Sequence, residues 1–166
     1  MFIKKNLEYQ KLPLPHKVSM SDFEMMSSIE SFREYMLKRH TVRDFSKRSV
    51  DFAIIQKAIQ IAGSAPSGAN HQPWHFVAIS NKDIKKTIRE AAEIEENKFY
   101  SGGASDEWIK ALEPIGTNAN KPHLEIAPWL IIIFAERFGT FDDGSKYKNY
   151  YVPESVGIAT GFLIAA

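Results

Sequence analysis

Residues 65–76 read Ala-Pro-Ser-Gly-Ala-Asn-His-Gln-Pro-Trp-His-Phe, and this stretch is the starting point for interpreting the fold. It lies between an amphipathic helix pattern that ends at Gly63 and an apolar strand pattern over residues 76–79. Loops of this kind, held by rigid elements on both sides, often carry the groups that bind ligands. Taken alone, however, the stretch is equally well explained as a polar connector between a helix and a strand.

The residues within this loop predict its local conformation. Pro66, Ser67 and Gly68 predict a tight turn, because proline fixes φ and glycine tolerates a positive φ. We expect the turn to leave its backbone N–H groups available to a ligand, together with the side chains of Asn70 and Gln72. His71 and His75 are four residues apart, as in some zinc motifs, but the proline between them prevents a regular helix, so no metal site is predicted.

A second informative segment, Arg39-His40-Thr41-Val42-Arg43, lies upstream and is strongly basic. An arginine guanidinium can bind a phosphate through two parallel hydrogen bonds. The alternative is a solvated cluster of cations just after the end of a helix, where positive charge is favourable in any protein.

Composition limits the classes of function. The chain has 166 residues, which predicts one domain, and its hydrophobic share of 44% and charged share of 25% are ordinary for a globular protein. A net charge of +1 gives no reason to expect a nucleic-acid or anionic-membrane partner. No cysteine is present, which excludes disulfides, thiolate metal sites and thiol nucleophiles. With no signal-peptide pattern and no apolar run long enough for a bilayer, a cytoplasmic location is expected.

Hydrophobic periodicity gives the order of elements. Residues 1–20 are expected to form an irregular arm, followed by one domain over residues 21–166. Helices are predicted to start at Ser21, at Ser49 or Asp51, and at Asn81, the last running to about residue 100. Further elements are a short helix near 108–112, a strand at 130–134 buried on both faces, an exposed segment at 139–150 and a helix at 153–166. Two predicted apolar helix faces consist of Met25, Ile29, Phe32 and Met36, and of Ile54, Ile55, Ala58, Ile61 and Ala62.

Together, the basic segment and the loop resemble the nitroreductase family of FMN-dependent oxidoreductases. In that family an Arg-x-Ser/Thr-x-Arg/Lys segment contacts the flavin phosphate and ring, and a Pro-Ser-x-x-Asn-x-Gln-Pro-Trp loop lies along the flavin. The resemblance implies an α+β nitroreductase-like fold, with a mixed central sheet flanked by helices. It also implies a homodimer with each active site at the subunit interface, and electrons supplied by NAD(P)H.

The resemblance also implies roles for individual residues. Arg43 would lie near the pyrimidine edge of the flavin, where reduction leaves negative charge, and the Ala69 backbone N–H would face the substrate. These two residues are the expected catalytic pair. The remaining FMN-binding residues would be Arg39, His40, Thr41, Pro66, Ser67 and Asn70.

A third group of residues suits recognition of an amino acid. Glu96 and Tyr100 are four residues apart on a predicted helix and therefore share a face, and Lys121 follows in a polar loop. A carboxylate, a phenol and an ammonium together can bind the zwitterion of an amino acid. The alternative is a charged helix face and an unrelated loop lysine.

The spacing from Tyr100 to Pro128 is similar to that of the iodotyrosine deiodinases, a subfamily in which these three positions bind the substrate zwitterion. The resemblance implies FMN-dependent reductive dehalogenation of halotyrosines. Alternatives are a general NAD(P)H-dependent nitro- or quinone reductase of the same family and an inactive flavin- or ligand-binding fragment. Because an apolar helix ends abruptly at Ala166, the C-terminal part is expected to be missing, including a threonine near flavin N5 and a phosphate-binding arginine.

Overall fold

The computed structural model describes residues 10–14 and 17–166. The helices are α1 (Asp22–Met36), α2 (Phe52–Gly63), α3 (Lys82–Lys98), α4 (Asp106–Leu112), α5 (His123–Ile126) and α6 (Val152–Ala165). The strands are β1 (Trp74–Ile79), β2 (Leu130–Ala135), β3 (Phe138–Thr140) and β4 (Lys146–Lys148). A 3₁₀ turn covers Gly68–Asn70, another covers Glu113–Ile115, and a π-helical turn at Phe99–Gly103 extends α3.

Local capping explains where the long helices begin. The Ser21 hydroxyl accepts from the Glu24 backbone N–H, and the Glu24 carboxylate accepts from the Ser21 N–H, which is a complete capping box. Asp51, rather than Ser49, caps α2 by accepting from the Ala53 N–H at 2.7 Å. Asn81 caps α3, as predicted. These three starts follow from short-range hydrogen bonds that the sequence already contains.

The sheets are two separate antiparallel pairs. Strands β1 and β2 pair along their whole length, with His75 opposite Phe134 and Ile79 opposite Leu130. Strands β3 and β4 form a short hairpin inside the segment predicted as exposed, and most of the hairpin is exposed. Within the described residues no parallel pair completes the mixed sheet that the family resemblance implied.

The apolar residues of the core are few and small. Ala62, Ala65, Ala127, Val152 and Ala159 are buried, together with Pro73. Helix α6, which carries Val152 and Ala159, packs against α2 and β2. Helix α3 packs separately against α5.

The predicted burial of the apolar α2 face and of strand β2 was wrong, and the apolar stripe of α1 is exposed as well. On α2, Ile54 is 62% and Ile61 48% exposed, so within the predicted apolar face Ala62 alone is fully buried. On α1 the predicted stripe is also largely exposed, and Phe32 keeps 55% of its surface. Strand β2 was predicted to be buried on both faces, but it pairs with β1 alone and Phe134 is 52% exposed. Periodicity identified the apolar faces, but it carries no information about which element covers them.

Two further features concern the ends and the surface. Residues 10–14 and 17–20 form no helix or strand and are exposed, and the rest of the predicted arm lies outside the described residues. Across the described ranges, none of the helices has both the length and the apolar character that crossing a bilayer requires.

Candidate functional site

The loop of residues 64–73 is fixed at both ends by buried groups. Pro73 is fully buried, and its carbonyl accepts from the Glu136 N–H at 3.0 Å, which ties the loop to the end of β2. Ala65 is 3% exposed at the other end. Between them, Ala69 and Asn70 project from the surface. The loop is therefore an exposed tip on a rigid base.

The conformation of the tip corrects the prediction made for Gly68. Positive φ angles occur at Ala69 (52°), Asn70 (55°) and Gln72 (49°), whereas Gly68 has none. Gly68 is needed for space instead, since a Cβ there would lie 2.5 Å from the carbonyl oxygen of Tyr150. Its N–H donates to the hydroxyl of Ser155 at 3.2 Å, which fixes the loop against the start of α6.

Adding a methyl group at Gly68 tests this close approach. We expect Gly68→Ala to lower the free energy of unfolding by about 1–3 kcal/mol, because backbone atoms of Tyr150 must move to accept the Cβ. Gly63→Ala is the matched control, since its Cβ would meet no atom within 4 Å and lies in a helix. The control should gain roughly 0.5–1 kcal/mol. Thermal unfolding of both variants measures the difference, and equal shifts would contradict the steric role of Gly68.

Most polar groups of the loop are already engaged, which was not expected. The Ser67 hydroxyl accepts from the Gln72 N–H at 2.8 Å, and the Gln72 side chain donates to the Gly63 carbonyl at 3.3 Å. The N–H of Asn70 donates to the Ser67 carbonyl at 2.9 Å. The prediction that Gln72 and the loop N–H groups face a ligand is therefore wrong for these groups. The Asn70 side chain has no hydrogen bond within the described part of the chain and stays exposed.

A hydrogen bond between the buried Asn149 and the half-buried His71 supports the loop, and the sequence analysis did not predict it. Asn149 is 5% exposed and donates from Nδ2 to the Glu136 carbonyl at 2.7 Å. Its Oδ1 lies 3.0 Å from Nδ1 of His71. Because that oxygen only accepts, the His71 Nδ1 carries the proton. His71 is thus a structural residue of the loop.

The basic segment at residues 39–43 is exposed throughout. It leaves the end of α1 in an irregular conformation and leads to Val50, whose carbonyl accepts from the Trp129 indole N–H at 2.8 Å. Arg39 and Arg43 take part in no ion pair among residues 10–14 and 17–166. His40 and Thr41 are likewise exposed. Two guanidinium groups therefore remain without a counter-charge from the described chain.

The third predicted group is partly assembled. The Lys121 ammonium lies 3.0 Å from Glu96 Oε2 and donates to the Thr117 hydroxyl at 3.3 Å. Lys121 is 13% and Glu96 36% exposed. Tyr100 lies in the π-helical turn after α3, half-buried, with its ring edge-on to Phe99. The structure thus brings Glu96 and Lys121 into contact across 25 positions of sequence, a pairing that helical spacing cannot predict.

His123 connects the basic segment to this ion pair, and sequence reasoning missed it. Burial lowers its pKa from the ordinary value, and the nearby positive charges of Arg43 and Lys121 lower it further. The imidazole therefore experiences the charge of both the basic segment and the ion pair. Its position two residues after Lys121 was the available signal.

A cavity of about 970 Å³ opens beside α3 and α5. None of the residues predicted from the sequence to bind cofactor or substrate lines it. Its walls combine cations, carboxylates and the Trp129 indole. The lining residues include Lys47, Lys82, Lys85, Arg89, Glu93 and Glu125.

The chain was compared with known proteins. The family model described as "Nitroreductase family" matches residues 36–166. An iodotyrosine deiodinase of Haliscomenobacter hydrossis is 49% identical over 143 residues, covering 86% of this chain and 64% of the relative. Iodotyrosine deiodinase 1 of Homo sapiens is 37% identical over 163 residues, covering 98% of this chain and 55% of the relative. The chain thus spans between about half and two thirds of the length of these relatives.

A solved structure is similar over most of the chain. The crystal structure of oxidized iodotyrosine deiodinase bound to FMN and 3-iodo-L-tyrosine superposes with a TM-score of 0.71 at 30% identity, covering 81% of this chain and 67% of that chain. A BluB-like flavoprotein of Clostridium difficile 630 gives a TM-score of 0.55 at 24% identity, which supports the fold alone. Because the family model covers residues 36–166, this chain belongs to the nitroreductase family, and within that family it is similar to iodotyrosine deiodinases.

Proposed function

We propose that this chain carries the cofactor- and substrate-recognition part of an FMN-dependent reductive dehalogenase of halotyrosines. The observation that carries the proposal is the contact of Lys121 with Glu96 at 3.0 Å. One negative and one positive group side by side, both partly buried, are complementary to the ammonium and carboxylate of an amino acid. The deiodinase relatives support this choice of amino acid, as does the similar deiodinase structure bound to 3-iodo-L-tyrosine.

The exposed arginines suit the phosphate of FMN. Arg39 and Arg43 have no carboxylate partner in the described ranges, so a dianionic phosphate would compete with no existing ion pair. We place Arg39, His40 and Thr41 at the phosphate and Arg43 at the pyrimidine edge of the ring. Bound FMN would supply the two-electron redox chemistry that no amino-acid side chain offers.

The loop supplies the other side of this site. Pro66, Ser67 and Asn70 would lie along the flavin, with the rigid base at Pro73 holding them in place. The Asn70 side chain is exposed and can turn towards a ligand. The backbone of Ala69 is at the tip, where a side chain larger than methyl would keep an aromatic substrate away. We place the phenolate oxygen of the substrate against the Ala69 N–H.

Recognition of the amino-acid end would proceed by exchange of ion pairs. The substrate ammonium replaces Lys121 as the partner of Glu96, and the substrate carboxylate takes the freed ammonium of Lys121. Tyr100 donates its phenolic O–H to the same carboxylate. Because Lys121 is already 87% covered, the exchanged pairs form in a partly desolvated site, where charge interactions are stronger than in water.

The net reaction replaces the aryl carbon–iodine bond by a carbon–hydrogen bond. Two electrons and one proton enter the ring and iodide leaves with the electron pair of the broken bond. NAD(P)H is the class of reductant that we propose as the ultimate electron source, with a homodimer placing each site at the subunit interface. The protein orients the substrate and excludes water from it.

A titration of the purified chain tests the proposal. We expect flavin absorbance after incubation with FMN, and quenching of flavin fluorescence by 3-iodotyrosine at concentrations at least tenfold below those needed with 2-iodophenol, which lacks the zwitterion. Equal quenching by both ligands would favour a general nitro- or quinone reductase. A chain that stays colourless with FMN would overturn both enzymatic functions.

A further inference from the structure

A cluster of charged side chains from α3 and α5 is joined to Lys121 by a hydrogen bond from the Lys121 backbone N–H to Glu93. Arg89 donates from Nε to Glu125 at 2.7 Å and from Nη1 to Glu93. Arg89 and Glu93 each keep only 21% of their side-chain surface, whereas Glu125 keeps 41%. The Glu125 hydrogen bond, and then the Glu93 carboxylate, hold the pKa of Arg89 above the ordinary value.

The two carboxylates of this cluster have different second partners. Glu93 uses Oε2 for Arg89 and Oε1 to accept the backbone N–H of Lys121 at 2.8 Å. Glu125 accepts from Arg89, and within the described residues no hydrogen bond or ion pair joins it to Lys121. Glu93 connects Lys121 to α3 through a hydrogen bond, and Glu125 connects α5 to α3 through Arg89. Of the two carboxylates, Glu93 is the one bonded to the residue that carries the ammonium.

The register along α3 gives this contact its significance. Glu93 and Glu96 are three residues apart and so lie on neighbouring turns of one face. One of them holds the main chain of Lys121 and the other receives its ammonium at 3.0 Å. With its main chain fixed, Lys121 loses only side-chain freedom when its ammonium pairs with a carboxylate.

We propose that Glu93 is a positioning residue for substrate recognition, oriented by Arg89. It fixes the Lys121 main chain so that the ammonium stays within reach of Glu96, the other charged group proposed to bind the zwitterion. This inference rests on the proposed function and names a residue that determines its selectivity. Without the Glu93 contact, the segment that carries Lys121 gains freedom, which must be lost again on binding.

Glu93→Ala and the matched control Glu125→Ala separate positioning from simple attachment. Both remove one Arg89 partner, but only the first removes an acceptor of the Lys121 N–H. We expect Glu93→Ala to weaken 3-iodotyrosine binding about tenfold by calorimetry, with 2-iodophenol affected less than twofold. Glu125→Ala should change either affinity by less than twofold.

Hydrogen exchange at the Lys121 amide gives a readout that needs no ligand. We expect exchange to be about tenfold faster in Glu93→Ala than in the unmodified chain or in Glu125→Ala, because the amide loses its acceptor. Glu93→Gln retains an acceptor oxygen and should restore most of the protection and affinity. It also provides the comparison, against Glu125→Gln, if the alanine variant does not fold.

Two results would overturn the inference. One is an equal loss of 3-iodotyrosine affinity in the Glu93 and Glu125 variants, which would assign both residues to attachment alone. The other is an unchanged exchange rate at Lys121 in Glu93→Ala. Failure of the unmodified chain to prefer 3-iodotyrosine over 2-iodophenol would instead overturn the proposed function and this inference with it.

Discussion

Replacing Lys121 with alanine will weaken halotyrosine binding by roughly 30- to 100-fold, or about 2–3 kcal/mol. The substrate carboxylate loses its cationic partner in a site where Lys121 is only 13% exposed. We expect the lower part of the usual range for a buried charge pair. One reason is that Glu96 is 36% exposed, so solvent screens its charge. The other is that Glu96 of the variant has no Lys121 ammonium to release before it binds the substrate ammonium.

Lys98→Ala is the matched control for this experiment. Lys98 lies on the same helix and pairs with Glu95 at 2.7 Å, but its side chain is 66% exposed. The control should bind 3-iodotyrosine within twofold of the unmodified chain, because exposed ion pairs contribute little. The measurement is fluorescence titration with 3-iodotyrosine and with a nitroaromatic compound that lacks a zwitterion. A parallel loss for both compounds would show that Lys121 supports the site in general and would refute the zwitterion contact.

Replacing Arg43 with alanine will weaken FMN binding by roughly 10- to 100-fold. The guanidinium has no competing carboxylate within the described ranges, so its hydrogen bonds and charge are available to the cofactor. Arg43→Lys should recover only part of the affinity, because an ammonium cannot reproduce the planar fork. Arg48→Ala is the matched control, since Arg48 is also exposed and lies five residues later in the same irregular segment.

The same variant has a readout that does not depend on FMN. Arg43 is one of two positive charges that lower the pKa of His123, after burial. Removing it should raise the His123 pKa towards the ordinary value, while burial and Lys121 keep it from reaching that value. An NMR titration of the imidazole measures this shift. If Arg43→Ala binds FMN as tightly as Arg48→Ala, the placement of Arg43 at the flavin is wrong, and an unshifted imidazole would place it away from His123 too.

The sequence predicted most of the elements because their signals are local. The side chains of Ser21 and Asn81 each accept a cap hydrogen bond from a residue three positions later, so the starts of α1 and α3 can be predicted from the sequence. The apolar periodicity of α2 and α6 is equally local. Sequence could not predict which apolar faces are covered, and Ile54 and Phe134 were wrongly expected to be buried. Burial depends on partners far away along the chain.

The candidate site divides in the same way. Residue types in the basic segment and the loop, and the spacing of Glu96 and Tyr100, were compatible with a flavin and an amino acid, but the resemblance to the nitroreductase family was needed to choose these ligands. The hydrogen bond from Lys121 to Glu93 spans 28 positions, and the one from Gly68 to Ser155 spans 87. No periodic pattern in the sequence indicates contacts over such separations. For the same reason the roles of Glu93, His123 and Asn149 were not predicted.

By itself, then, the sequence determined the family, the helix starts and the chemical groups that the site can offer. These depend on side-chain type and on interactions within one or two turns of chain. The tertiary structure alone decided that Gly68 serves for close approach to Tyr150, and that Glu93 holds the main chain of Lys121. Such contacts form only when distant segments pack together, and local sequence patterns do not indicate which distant segments will meet.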